Sequence, residues 1–138
     1  MRRKLKSIVC ALAITLSVCS FASVAEAATI PLDVTATNVS GVASKDPYSR
    51  KEAKSDSEQR FYITLTSLTN GPSMSFTSYN DARERVSAVN GLTISNTELN
   101  NRKSCEYSVT ALQGAKYYVL AQAPLYYANV HAVGRYCP

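Results

Sequence analysis

Eight consecutive residues, Phe61-Tyr62-Ile63-Thr64-Leu65-Thr66-Ser67-Leu68, restrict the fold of this chain more than any other segment. In an extended backbone Phe61, Ile63 and Leu65 point one way, and Tyr62, Thr64 and Thr66 the other. A period of two gives a strand one buried and one wet face. A helix, whose faces recur every 3.6 residues, cannot use it.

Weaker copies of the pattern recur along the chain. Thr29 to Thr37 alternates around Ile30, Leu32 and Val34, with Pro31 in the run. Proline has no N–H to give a ladder, so this predicts an edge strand. Further strands are predicted at Met74 to Tyr79, Arg85 to Val89, Leu92 to Ser95, Ser104 to Leu112, Lys116 to Ala123 and Tyr126 to Tyr136. A single helical turn capped by Asn80 is the competing reading of Asp81 to Val86. Thr69-Asn70-Gly71-Pro72-Ser73 reads as the turn of a hairpin joining the Phe61 and Met74 strands. Thr, Val and Tyr suit pleated surfaces. Short strands at such spacing predict an all-β fold, a small antiparallel β-sandwich or small barrel of six to eight strands. Residues 38–60 are polar, without apolar period, and read as a solvated loop.

The N-terminus has a different character. Arg2, Arg3, Lys4 and Lys6 precede an uncharged, mostly apolar run from Ser7 to Val24, and Ala25-Glu26-Ala27 follows. A basic start, an apolar middle and a small-x-small exit make a secretory leader. We expect residues 1–27 to be a signal peptide cut between Ala27 and Ala28, and residues 28–138 to be one exported domain. An uncleaved membrane anchor is the competing reading. Ser7, Thr15, Ser17, Ser20 and Ser23 in the run count against it. A lipidated leader is disfavoured at Cys19, because Val18 stands where Gly, Ala or Ser is usual. Localisation is thus expected to be secreted, extracellular or loosely associated with a cell wall, with no integral membrane segment after cleavage.

The leader also dominates the charge. It holds four of the 15 basic residues and one of the 10 acidic ones, leaving 11 and 9 in residues 28–138. That near balance, without a basic stripe, speaks against nucleic-acid binding. Cys10 and Cys19 belong to the leader, leaving Cys105 and Cys137. In an oxidising compartment two such cysteines are expected to pair. The bridge would be worth roughly 3–4 kcal/mol in the chain-entropy model.

Catalytic and metal groupings are weakly represented. His131 is the only histidine, and no Cys-x-x-Cys or Gly-x-Ser-x-Gly occurs. Asp46, Glu52, Asp56 and Glu58 come closest to an oxygen-ligand cation site, but Lys45, Arg50, Lys51 and Lys54 intersperse them. No metal, no cofactor and no enzymatic activity are therefore expected. The unusual feature is tyrosine. Tyr117-Tyr118 and Tyr126-Tyr127 fall on consecutive predicted strands, with Tyr107 and Tyr136 nearby. Adjacent residues in a strand point to opposite faces. One member of each pair then fills the core, and outward members can form an aromatic platform for sugar rings or protein partners. Ordinary cross-strand aromatic pairing is the simpler competing reading.

Three stretches also carry a likeness: Tyr62-Ile63-Thr64-Leu65-Thr66-Ser67, Gly114-Ala115-Lys116-Tyr117-Tyr118 and Gly134-Arg135-Tyr136. They resemble small exported proteins of Gram-positive bacteria that are grouped only as a domain of unknown function. The likeness spans roughly residues 45 to 138 and implies a signal peptide and a β-rich domain; it carries no catalytic residues across. A looser, architectural likeness is to lactococcin-type bacteriocins, which are secreted, Tyr-rich β-sandwiches but shorter and without a disulfide. The expected function is that of a secreted, non-enzymatic protein that binds a cell-envelope polymer or a surface protein through a tyrosine-rich strand face. The alternative is a secreted bacteriocin-like antimicrobial protein.

Overall fold

The computed structural model describes residues 28–138. The expected leader lies outside the described residues, as do Cys10, Cys19 and the Ala27 side of the expected cut. Eight strands follow in order: β1 (Ile30–Ala36), β2 (Glu52–Ala53), β3 (Arg60–Thr69), β4 (Ser73–Asn80), β5 (Leu92–Ser95), β6 (Lys103–Glu106), β7 (Lys116–Gln122) and β8 (Val130–Cys137). A single 3-10 turn, Asn96–Glu98, separates β5 from β6. The strands form two antiparallel four-stranded sheets, ordered β1-β8-β3-β6 and β2-β7-β4-β5. The all-β sandwich expected from the alternating segments is the fold observed.

The core lies between the sheets and takes alternate residues from each strand. Leu32, Val34 and Ala36 of β1, Phe61, Ile63 and Leu65 of β3, and Val130, Ala132 and Tyr136 of β8 come from the first sheet. Met74 and Phe76 of β4, Leu92 and Ile94 of β5, and Tyr117, Val119 and Ala121 of β7 come from the second. Each side chain leaves water as a sheet face closes, at about 25 cal/mol per Å² of apolar surface.

Leu65 and Leu68 are both buried although three residues apart, which strict alternation forbids. A β-bulge resolves this. The β3–β8 register shifts between Leu65, opposite Gly134, and Ser67, opposite Val133. Thr66 is the extra residue, turned to solvent, with its hydroxyl donating to the Val133 carbonyl at 3.2 Å. Beyond it, Leu68 faces inward opposite Ala132. The partner strand supplies glycine where it passes the bulge: a Cβ on Gly134 would lie 2.1 Å from the Thr64 carbonyl oxygen.

Four expectations about the strands are corrected. Strands β3 and β4 are not a hairpin. The first pairs with β6 and β8, the second with β5 and β7, so Asn70-Gly71-Pro72 carries the chain from one sheet to the other. Alternation fixes which side chains point inward, and inward-facing strands can equally be neighbours or face each other across the core. The predicted strand at 85–89 is reduced to isolated bridges, Tyr79 with Arg85 and Ser87 with Tyr107. The strand predicted over 104–112 stops at Glu106. The last strand begins at Val130 rather than Tyr126, because Tyr126 and Asn129 both adopt left-handed backbone, at φ of 69° and 51°.

The segment read as a solvated loop is also structured. Its residues 46–49 lie along the outer edge of β7: Tyr48 is bridged to Leu120, and Ala121 N–H donates to the Pro47 carbonyl at 2.7 Å. Lys54, just after β2, is buried. Its ammonium donates to Asp56 Oδ1 at 2.6 Å and the Pro138 carbonyl at 3.2 Å, and lies 5.5 Å from the centre of the Tyr107 ring. A buried ammonium is tolerated where its donors find such acceptors.

The expected Cys105–Cys137 disulfide is not formed, and both thiols are free. Strand β3 runs between them: Cys105 pairs with Phe61 on one side, and Cys137 with Tyr62 on the other. Two strand spacings amount to about 9.5 Å, beyond the roughly 7 Å at which a disulfide can close.

Candidate functional site

The four tyrosines singled out in the sequence are separated by the fold. Tyr117 points into the core, where its ring meets that of Tyr107 at 5.4 Å and its hydroxyl accepts a hydrogen bond from Leu112 N–H at 2.8 Å. Tyr118, the next residue, points to the outer face of the second sheet, as the strand period requires. Tyr126 and Tyr127 sit in the β7–β8 loop at one end of the sandwich. They are not part of a strand face and do not join Tyr118.

Two tyrosines not grouped with Tyr118 in the sequence surround it. Tyr79 lies directly opposite on β4, and the two rings are stacked at 5.7 Å with planes 19° apart. Tyr48 enters from the segment bordering β7, its ring edge-on to Tyr118 at 5.9 Å. The three come from three neighbouring stretches of one sheet and make a continuous aromatic row. Tyr118 is 7% exposed, shielded by its neighbours, while Tyr48 is 53% exposed. Among the described residues, none of the three hydroxyls has a hydrogen-bond partner in the protein, which is equally true of the buried Tyr107 and Tyr136 hydroxyls, whereas those of Tyr62 and Tyr117 are bonded.

A compensated ion pair borders the row. The Lys51 ammonium lies 5.7 Å from the centre of the Tyr118 ring and forms an ion pair with Asp81. Such a cation is attracted to the negative face of the ring. Arg85 pairs with Tyr79 through the backbone only. Burial, and then Tyr48, push the Tyr118 phenol above its usual range, while Arg83 and Lys51 oppose the shift. The phenol therefore stays protonated at neutral pH, able both to donate and to accept.

Sequence reasoning could find Tyr79, whose position in Met74 to Tyr79 puts it opposite Met74 and Phe76 in the alternation. Its alignment with Tyr118 depends on strand order, which alternation does not encode. Tyr48 had one signal only, a large aromatic isolated in a polar stretch after Pro47.

Other polar groups do not assemble into a comparable site. A surface pocket of about 330 Å³ is lined by Glu58, Gln59, Arg60, Glu106 and Tyr107. Both its carboxylates are engaged, Glu58 accepting from the Tyr62 hydroxyl at 2.6 Å and Glu106 paired with Arg60 at 2.5 Å. His131 Nε2 lies 2.8 Å from Asp33 Oδ1 on an exposed face. Among the described residues, no group of three His, Cys, Asp or Glu is placed to hold a metal, and no helix is long and apolar enough to cross a membrane. No protein-family model, curated protein or solved structure matches the chain.

Proposed function

We propose that this chain is a non-enzymatic binding protein of the cell envelope, and that its outer tyrosine row holds a glycan chain. One observation carries this reading: on the outer face of one sheet the half-exposed Tyr48 is held against Tyr118, which is itself stacked on Tyr79, so that Tyr48 is presented to a ligand by a braced aromatic row. Sugar rings present apolar C–H faces that stack on aromatic rings, and hydroxyls around their rims that bond to phenols. A row that runs across neighbouring strands suits a linear polymer better than a small compact ligand. The basic leader and the near-neutral charge of residues 28–138 support an exported protein with no nucleic-acid partner.

The test is co-sedimentation of the purified chain with insoluble peptidoglycan and with purified Gram-positive cell walls. Saturable pelleting that falls about tenfold or more in Tyr48→Ala supports the reading, since exposed aromatic anchors carry a large share of such contacts. Tyr48 is the appropriate position because it is half-exposed and contributes nothing to the core. Equal pelleting by Tyr48→Ala and the parent chain removes the tyrosine row from the account.

A further inference from the structure

The loops at the end of the sandwich where β1, β3 and β7 finish carry an exposed apolar cluster unrelated to the tyrosine row. Leu125 is 61% exposed, Tyr126 82%, Tyr127 41% and Val42 53%. Two loops are tied together here: Asn38 N–H donates to the Tyr127 carbonyl at 2.8 Å, and Tyr126 N–H donates to the Asn38 carbonyl at 2.9 Å. The Asn38 side-chain amide adds a bond to the Ala123 carbonyl at 3.1 Å. The sheet-crossing turn at Asn70 joins them through a bond to the Asn129 carbonyl at 3.1 Å. Residues 37–44, 70–72 and 123–129 contain no Asp, Glu, Lys or Arg. The exposed pair Lys45 and Asp46 follows directly after the first of these stretches, with the Asp46 backbone bridged to Thr35 at the base of the tip.

Tyr126 adds a second, independent observation. Its φ of 69° lies in the left-handed region, which is unfavourable for a bulky aromatic residue. The backbone is thus held in a strained form whose effect is to project an aromatic side chain into water. Neither the strain nor the exposure stabilises the fold. Backbone held in this way is one of the forms of strain found at functional positions.

We propose that this uncharged loop end inserts into the interface of a lipid bilayer, with Leu125 entering the acyl boundary and Tyr126 and Tyr127 seated at headgroup level. Tyrosine suits that position because its ring is apolar and its hydroxyl stays hydrated. A bilayer is favoured over a protein because four side chains on loop tips fall well short of the about 800 Å² per partner of a stable protein interface. A membrane can receive such a tip end-on without a complementary groove. The absence of charge within the tip removes the main cost of entering the interface.

The chain contains no tryptophan, so one substitution gives a site-specific fluorescent reporter. Tyr126→Trp in the full chain is mixed with phosphatidylcholine and phosphatidylcholine–phosphatidylglycerol vesicles, with and without brominated acyl chains. Leu112→Trp reports from the opposite end, where Leu112 is 64% exposed and where Ala28, bonded to Ser55 at 3.1 Å, brings the chain out of the expected leader. Expected are a blue shift and bromine quenching for Tyr126→Trp only, with vesicle partitioning lowered about tenfold or more by Leu125→Ser with Tyr126→Ser. Quenching at Leu112→Trp alone would mean that the N-terminal segment carries the contact, and would overturn the proposal. So would unchanged emission at both positions, which would leave the tip to a protein partner.

Discussion

Cys105 and Cys137 stand on the two strands that flank β3, the first paired with Phe61 and the second with Tyr62. Since Phe61 and Tyr62 point to opposite faces, the two thiols do as well. Cys105 lies beneath Gly91, where a glycine Cβ would come within 3.1 Å of its sulfur. Cys137 is on the other face and buried. Burial raises both thiols above their usual pKa, which leaves them protonated and slow to react at neutral pH.

Two free thiols have a measurable consequence. Alkylation of native protein followed by peptide mapping should modify Cys105 first, and Cys137 only on unfolding. Cys105→Ser should change stability by less than about 1 kcal/mol, against the 2–5 kcal/mol typical of losing a native disulfide. A peptide pair linked through Cys105 and Cys137 in non-reduced digests would show that the observed register does not persist in solution.

Gly134 permits the bulge. With its missing Cβ directed at the Thr64 carbonyl and the Leu65 Cα, at 2.1 and 2.8 Å, any side chain must push β8 away from β3. Gly134→Ala should cost about 1–3 kcal/mol or more in denaturant unfolding. The same substitution at Gly114 tests a different cost. There a Cβ meets nothing within 4 Å, and the penalty comes from its φ of 83° alone. Gly134→Ala with parental stability would remove the bulge from the account.

Lys54 ties the β2 segment to the far ends of β3 and β8, through the Arg60 and Pro138 carbonyls. Lys54→Met keeps most of the side-chain volume and removes the ammonium. It leaves two carbonyls and the Asp56 carboxylate without this donor, and should destabilise by about 2 kcal/mol. Thermal unfolding checks this. A gain in stability would mean that the desolvation of the ammonium outweighs its bonds.

The sequence was informative where one physical period dominated. Phe61, Ile63 and Leu65 announce β3, and Tyr117 and Tyr118 divide between core and surface as adjacent strand residues must. It was silent on pairing. Nothing in the alternation of Met74 and Phe76 says whether β4 lies beside β3 or opposite it, and the answer decides which tyrosine meets Tyr118. It misled where composition mimicked a strand. Tyr126-Tyr127-Ala128-Asn129 has β-like residues, but Pro124 and two left-handed backbones make it a loop. Tyr48 was concealed because its segment pairs with β7 through its backbone while its side chains remain polar.

The most direct test of the tyrosine row follows the ring resonances of the nine tyrosines by NMR, during titration with soluble peptidoglycan fragments. The account predicts saturable shifts at Tyr48, Tyr79 and Tyr118, with Tyr107, Tyr117 and Tyr136 unmoved. Shifts confined to other tyrosines, or none at saturating fragment while intact walls still pellet the protein, would contradict it.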